Sequence, residues 1–365
     1  MNLCDLAPSY IRDIAPYQPG KPISELEREL GISNIIKLAS NENPLGTSPR
    51  VADAIDHAVA ELALYPDGNG FELKSALCRK FGLRMDQLVL GNGSNDVLEL
   101  AARAFLYPGL SAVFSQHAFA VYPLVTQAMG ARCIEVPAKN FGHDLDAMLA
   151  AIDTTTRLVF IANPNNPTGT FIDGAVVESF IGKVPANVLV ILDEAYTEYL
   201  PADKRPNSFA WLERFPNLII TRTFSKAYGL AGLRVGFAAT NPSLADMMNR
   251  VRQPFNVNAL AQAAALAALE DEDFLARSYA LNQAGLTQLT QGFKRLGLEY
   301  IPSFGNFVSV RVGSAAAVYQ KLLRAGVIVR PVASYGMPEY LRVTTGLFDQ
   351  NQKFLAALEA ALTAD

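Results

Sequence analysis

Apolar positions along the chain fall into short runs divided by helical segments. Runs at 88–90, 112–115, 132–136, 158–162, 188–192, 218–223 and 236–239 have strand length and are rich in Val, Ile, Leu and Ala. Helices are predicted after Asn95 to about Phe105, and over 119–128, 144–150 and 173–182. Strands alternating with helices predict an α/β fold with a mostly parallel central sheet flanked by helices. After residue 243 the texture changes. Residues 243–296 read as a long alanine-rich helix with a break at Pro254. Strands are then predicted at 306–312, 327–330 and 341–345, with helices at 314–325 and 349–363, which makes a smaller α/β domain.

The first 35 residues read as an irregular arm, punctuated by Pro16, Pro19, Gly20 and Pro22, leading to a helix at 23–30. A short strand at 35–38, a polar loop at 41–49, helices at 50–63 and 71–81, and a tight loop at 65–70 complete this part. The arm is too short to stand alone and is expected to return to the C-terminal domain. The expected division is an arm over 1–45, a large domain over 46–255 and a small domain with an interdomain helix over 256–365.

Composition narrows the classes. Half of the 365 residues are apolar and 18% are charged, which fits a folded protein rather than a disordered one. The net charge of -4 offers no cationic field for nucleic acid or an anionic membrane. Cys4, Cys78 and Cys133 are too scattered for a disulfide scaffold, and His57, His117 and His143 lack metal-ligand spacing. No secretory leader and no bilayer-length apolar run is read. The expectation is a soluble, cytoplasmic protein without a metal.

Chemistry enters where polar groups follow apolar strands, because open α/β sheets bind ligands beyond their strand ends. Gly91-Asn92-Gly93-Ser94-Asn95 is either a plain strand-to-helix turn or a phosphate cup. In Asn163-Pro164-Asn165-Asn166-Pro167-Thr168-Gly169, two prolines and a glycine fix a loop that projects three amides. Asp193-Glu194-Ala195-Tyr196 puts a carboxylate at a buried strand end. Its partner could be a protonated ring nitrogen, a loop backbone or a magnesium ion. Thr221 to Lys226, with Gly229 to Arg234, combine hydroxyls, an amine and an arginine fork. Arg342, between Leu341 and Val343, and Arg330 demand an anion, either an internal carboxylate or a substrate.

These groups together suit pyridoxal 5'-phosphate, which needs a lysine, an acid opposite its ring nitrogen, a phosphate cup and a donor to its ring oxygen. NPNNPTG, LDEAY and SKAYGLAGLRVG resemble the fold-type I, pyridoxal-phosphate-dependent aminotransferases of class I/II, and ASNENPLG with YPDGNG resembles their histidinol-phosphate branch. The likeness runs nearly end to end.

The resemblance implies roles. Lys226 would bond to the cofactor aldehyde and later move the substrate's α-proton. Asp193 would keep the ring nitrogen protonated, and Asn166 and Tyr196 would hold the ring oxygen. Gly93, Ser94, Asn95, Thr223, Ser225 and Arg234 would surround the phosphate, and Phe119 would stack on the ring. Tyr65 would reach the phosphate of the neighbouring subunit in a homodimer. Arg342, Arg330, Tyr17 and Asn41 would bind the substrate. The implied reaction converts L-histidinol phosphate and 2-oxoglutarate to imidazole-acetol phosphate and L-glutamate. An aromatic amino-acid aminotransferase would use the same groups, as would a decarboxylase on this fold.

Overall fold

A seven-stranded sheet forms the centre of the computed structural model, which describes residues 3–363. Its strands lie in the order Leu88–Gly91, Gly236–Thr240, Leu218–Thr223, Leu189–Asp193, Thr156–Ala162, Ser111–Ser115 and Arg132–Val136. Gly236–Thr240 runs antiparallel to both neighbours, and the remaining paired strands are parallel. The central strands are buried along their whole length, which is why they read as continuous apolar runs. Successive side chains point to opposite faces. Val190 and Leu192 therefore join one core cluster, and Leu189 and Ile191 join another.

A four-stranded antiparallel sheet joins Arg330–Pro331, Tyr340–Thr344, Phe307–Arg311 and Tyr300–Ile301, in that order. The N-terminal segment reaches this region. Ile36–Lys37 pairs in parallel with Val327–Ile328, and the Thr344 N–H donates to the Leu38 carbonyl at 2.9 Å. This pairing carries residues 39–41 across the ends of the central strands.

The stretch over 243–296 breaks around Pro254, as expected, and once more beyond it, giving three helices, Pro242–Val251, Ala259–Leu269 and Glu272–Arg295. The Asn258 side chain accepts from the Ala261 N–H and Asp271 accepts from the Phe274 N–H, so each caps a new start. Short local caps thus override a helix-forming composition. The helix expected over 50–63 is Pro49–Val59, started by the Ser48 cap with proline in its first turn. The arm also carries a short helix, Ser9–Arg12, within the stretch expected to be irregular. Among the described residues no helix is long and apolar enough to cross a membrane, and no group of side chains is arranged to hold a metal ion.

Candidate active site

Three parallel strands end side by side and deliver the central groups. Asp193 is the last residue of Leu189–Asp193, is 4% exposed, and accepts from the Tyr122 hydroxyl at 2.9 Å and the Thr221 hydroxyl at 3.1 Å. Burial pushes its carboxyl pKa up, while these donors pull it down. Lys226 lies in the turn after Leu218–Thr223, and its Nζ donates to the Ser40 carbonyl at 3.1 Å. Burial first, then the nearby Arg342 and Arg234 guanidiniums, lower its pKa to about 8. Such an amine is close to the neutral form that nucleophilic chemistry requires.

The phosphate-cup candidates converge at the start of the Ser94–Phe105 helix, whose first N–H groups have no partner within the helix. Arg234 donates to Ser225 Oγ at 3.1 Å, and Thr223 Oγ1 accepts from the Ser225 N–H at 3.1 Å. Gly93 has φ +86°, and a Cβ there would lie 2.2 Å from Arg234 Nη2. Only glycine leaves space for the guanidinium at this turn. The neighbouring Arg222 serves elsewhere. It is buried against Glu194 at 2.6 Å and Glu198 at 3.4 Å, so it is not available to a ligand.

Of the three amides in the 163–166 loop, two brace the backbone. Asn163 bonds both the carbonyl and the N–H of Ile172, and Asn165 donates to Thr168 Oγ1 and to the His117 carbonyl. Asn166 faces the cavity. Its Oδ1 accepts from Arg342 Nη1 at 2.6 Å, which turns its NH2 group toward the open side. Asn41 adopts φ +56° and donates to the Tyr196 hydroxyl at 2.9 Å, while Thr344 Oγ1 donates to its Oδ1 at 3.0 Å. Asn41 thus supports Tyr196 rather than merely edging the cavity. Burial pushes the Tyr196 hydroxyl up to about 12.

The choice left open for Arg342 is resolved by its contacts. Its Nη2 donates to the Ala39 carbonyl at 2.6 Å and its buried Nε has no partner. Arg330 donates to the Gln18 carbonyl at 2.8 Å and lies over the Tyr17 ring at 5.4 Å. Among the described residues neither arginine forms an ion pair, so the demand for an anion stays open.

Tyr17, Asn41, Ser94, Asn95, Phe119, Asn166, Asp193, Tyr196, Thr223, Ser225, Lys226, Arg234, Arg330 and Arg342 all line one cavity of about 200 Å³. Gly93 borders it through Arg234. Tyr65 does not reach it. That side chain is 82% exposed and stacked on Phe255 at 4.7 Å. Sequence reasoning missed Tyr122, Tyr335 and the Ala39 and Ser40 carbonyls. Tyr122 stands three residues after Phe119, which precedes the Val121–Ala128 helix, and the two rings meet edge-on at 5.8 Å. The backbone carbonyls leave no such signal.

This donor set fits a phosphorylated pyridine aldehyde. Lys226 is a poised amine, Asp193 is an acceptor for a ring N–H, and Asn166 and Tyr196 offer donors between them. The Gly93 turn keeps an arginine-lined, N–H-rich cradle free of a Cβ.

Comparisons with known proteins agree. The family described as aminotransferase class I and II matches residues 33–358. The chain is 66% identical over 363 residues to histidinol-phosphate aminotransferase of Methylobacillus flagellatus, covering 99% of this chain and 98% of that one. It is 63% identical over 365 residues to histidinol-phosphate aminotransferase 2 of Nitrosospira multiformis, covering 99% and 93%. A crystal structure of histidinol-phosphate aminotransferase from Sinorhizobium meliloti in complex with pyridoxal-5'-phosphate superposes with a TM-score of 0.90 at 30% identity, covering 97% and 96%. With the fold, the motifs and the cavity in agreement, the chain belongs to the class I and II aminotransferases, in the histidinol-phosphate aminotransferase family.

Proposed function

We propose that the protein transfers the amino group of L-histidinol phosphate to 2-oxoglutarate, giving imidazole-acetol phosphate and L-glutamate, in a reversible two-stage reaction serving histidine biosynthesis. Pyridoxal phosphate, when bound, supplies an aldehyde for amine exchange and a protonated ring that draws electrons from the substrate's α-carbon. Lys226 would hold it, and its Nζ, once released, would take up or return the proton at the substrate's α-carbon. Asp193 would keep the ring nitrogen charged. Asn166 and Tyr196 would hold the ring oxygen, with Asn41 positioning Tyr196. Ser94, Asn95, Thr223, Ser225 and Arg234 would bind the phosphate, and Phe119 would cover the ring.

The carrying observation is the two arginines without acidic partners. Arg330 and Arg342 line the same cavity as Lys226, apart from the arginine of the cofactor cup. They suit the phosphoester of one substrate and the carboxylates of the other. Tyr17 lies against Arg330 and forms part of the cavity wall. The relatives named above, at 66% and 63% identity, support this substrate choice.

A second reading keeps the chemistry and changes the ring. Among the described residues Asp193 is the only carboxylate lining the cavity, so no acid is dedicated to an imidazole. Aromatic amino acids therefore fit as weaker substrates. Comparing kcat/KM for histidinol phosphate and phenylalanine, with 2-oxoglutarate as acceptor, decides between the two. Preference for phenylalanine would overturn the main reading.

The reading includes a homodimer in which Tyr65 reaches the phosphate of the partner's site. Support comes from exposed apolar residues near Tyr65, with Leu62, Leu64 and Phe71 close in the chain and Phe255 stacked on its ring. It also keeps the division into an arm over 1–45, a large domain over 46–255 and a small domain over 256–365.

A further inference from the structure

One buried hydroxyl at the site has no assigned role. Tyr122, in the Val121–Ala128 helix, is 0% exposed and lines the cavity, and its phenol is the donor to Asp193 Oδ2. Its ring is fixed from two sides. It stacks on Phe160 at 4.7 Å and 13°, and meets Phe119 edge-on at 5.8 Å and 88°. Phe160 belongs to Thr156–Ala162, the strand beside that of Asp193. The aromatic stack therefore aims the hydroxyl at the carboxylate.

The direction of this hydrogen bond is set by chemistry. Burial keeps the phenol protonated, and the adjacent Asp193 charge acts the same way. Tyr122 donates and Asp193 accepts. Among the described residues no cation pairs with Asp193. Its buried charge is supported by Tyr122 on one oxygen, by Thr221 on the other and by the Ala195 N–H, and is opposed by the neighbouring Glu194. A carboxylate left without such donors would take up a proton and stop attracting one from a ring nitrogen.

We propose that Tyr122 is a positioning residue that keeps Asp193 ionised and aimed at the cofactor's ring nitrogen, and so controls how firmly that nitrogen holds its proton. This role rests on the cofactor placement given above. Tyr122→Phe keeps the stacked ring and removes only the hydroxyl, so packing and hydrogen bonding are separated.

The test is a pH titration by ring-nitrogen NMR of the enzyme loaded with isotopically labelled pyridoxal phosphate, for wild type, Tyr122→Phe and Asp193→Asn. In Tyr122→Phe the shared proton should shift from the ring nitrogen toward Asp193, so the ring nitrogen should be protonated in a smaller share of the enzyme than in wild type across the neutral pH range. Its kcat for histidinol phosphate should fall about tenfold or more, with KM nearly unchanged. Thr221→Val should shift the titration in the same direction. Asp193→Asn should release the ring proton altogether. A wild-type titration in Tyr122→Phe, with Asp193→Asn deprotonated, would overturn the role of Tyr122. A ring proton retained in Asp193→Asn would overturn the cofactor placement itself.

Discussion

Arg330 and Arg342 stand directly opposite each other on the neighbouring antiparallel strands Arg330–Pro331 and Tyr340–Thr344. Like charges in this arrangement repel. Among the described residues no carboxylate relieves them, and each guanidinium rests on backbone carbonyls, an amide or an aromatic face. A dianionic phosphoester would satisfy both.

The two arginines should therefore fail differently. Arg330→Ala should lower kcat/KM for histidinol phosphate by about tenfold to a hundredfold, the worth of one or two charge-assisted hydrogen bonds. It should change phenylalanine turnover much less. Arg342→Ala should damage both substrates and lower kcat as well, because it also releases Asn166. Steady-state kinetics with the two amino donors measures this. Equal losses from Arg330→Ala on both donors would remove the phosphate assignment.

Cofactor capture by the cofactor-free protein should follow Lys226. Its pKa of about 8 lies below the ordinary 10.5, so the neutral amine forms as pH rises through about 8. The capture rate, read from visible absorbance after rapid mixing, should climb about tenfold per pH unit below that value and level off above it. The stability sign follows from the same shift. The unfolded chain keeps the proton longer than the folded one, so this residue makes stability rise with pH from about 8 to 10.5. Lys226→Ala should remove that rise. A capture rate flat across pH 8 would contradict the lowered pKa.

Gly93→Ala should cripple the cradle without touching a catalytic group. The new methyl would meet Arg234 at 2.2 Å, at a φ that alanine disfavours. Cofactor affinity, measured by spectral titration, should fall at least about tenfold, a modest charge of 1.4 kcal/mol against that steric conflict. Wild-type affinity would show that Arg234 can shift aside.

Asn41 separates backbone from side-chain effects. Asn41→Gly and Asn41→Ala both lose the donor to Tyr196 and the acceptor for Thr344. Alanine must also hold the left-handed φ, at an added cost of about 1 kcal/mol. Both should slow turnover by a similar factor, with Asn41→Ala the less stable in thermal unfolding. Activity equal to wild type in Asn41→Gly would leave Tyr196 independent of this contact.

The strand ends were the most legible part of the site. An acid closing an apolar run, as Asp193 does, must sit at the edge of a buried sheet. A lysine just after the next buried strand, as Lys226 is, must emerge beside it. Tyr122 was hidden because its hydroxyl rides on a helix whose face is otherwise apolar, where a tyrosine reads as packing. Ser40 and Ala39 act through carbonyls, which any residue type provides. The reversed strand Gly236–Thr240 resembles its parallel neighbours in composition, because burial on both faces erases the difference. The break around Pro254 was legible from the proline, whereas the one before Glu272 depends on the Asp271 cap, a single side chain that an alanine-rich stretch hides.

The covalent role of Lys226 is tested most directly by borohydride reduction of the cofactor-saturated enzyme, followed by peptide mass mapping. The reduced cofactor's mass should appear on the peptide carrying Lys226 and vanish in Lys226→Ala. An adduct on a different amine, or none in an enzyme that is saturated and active, would contradict the assignment.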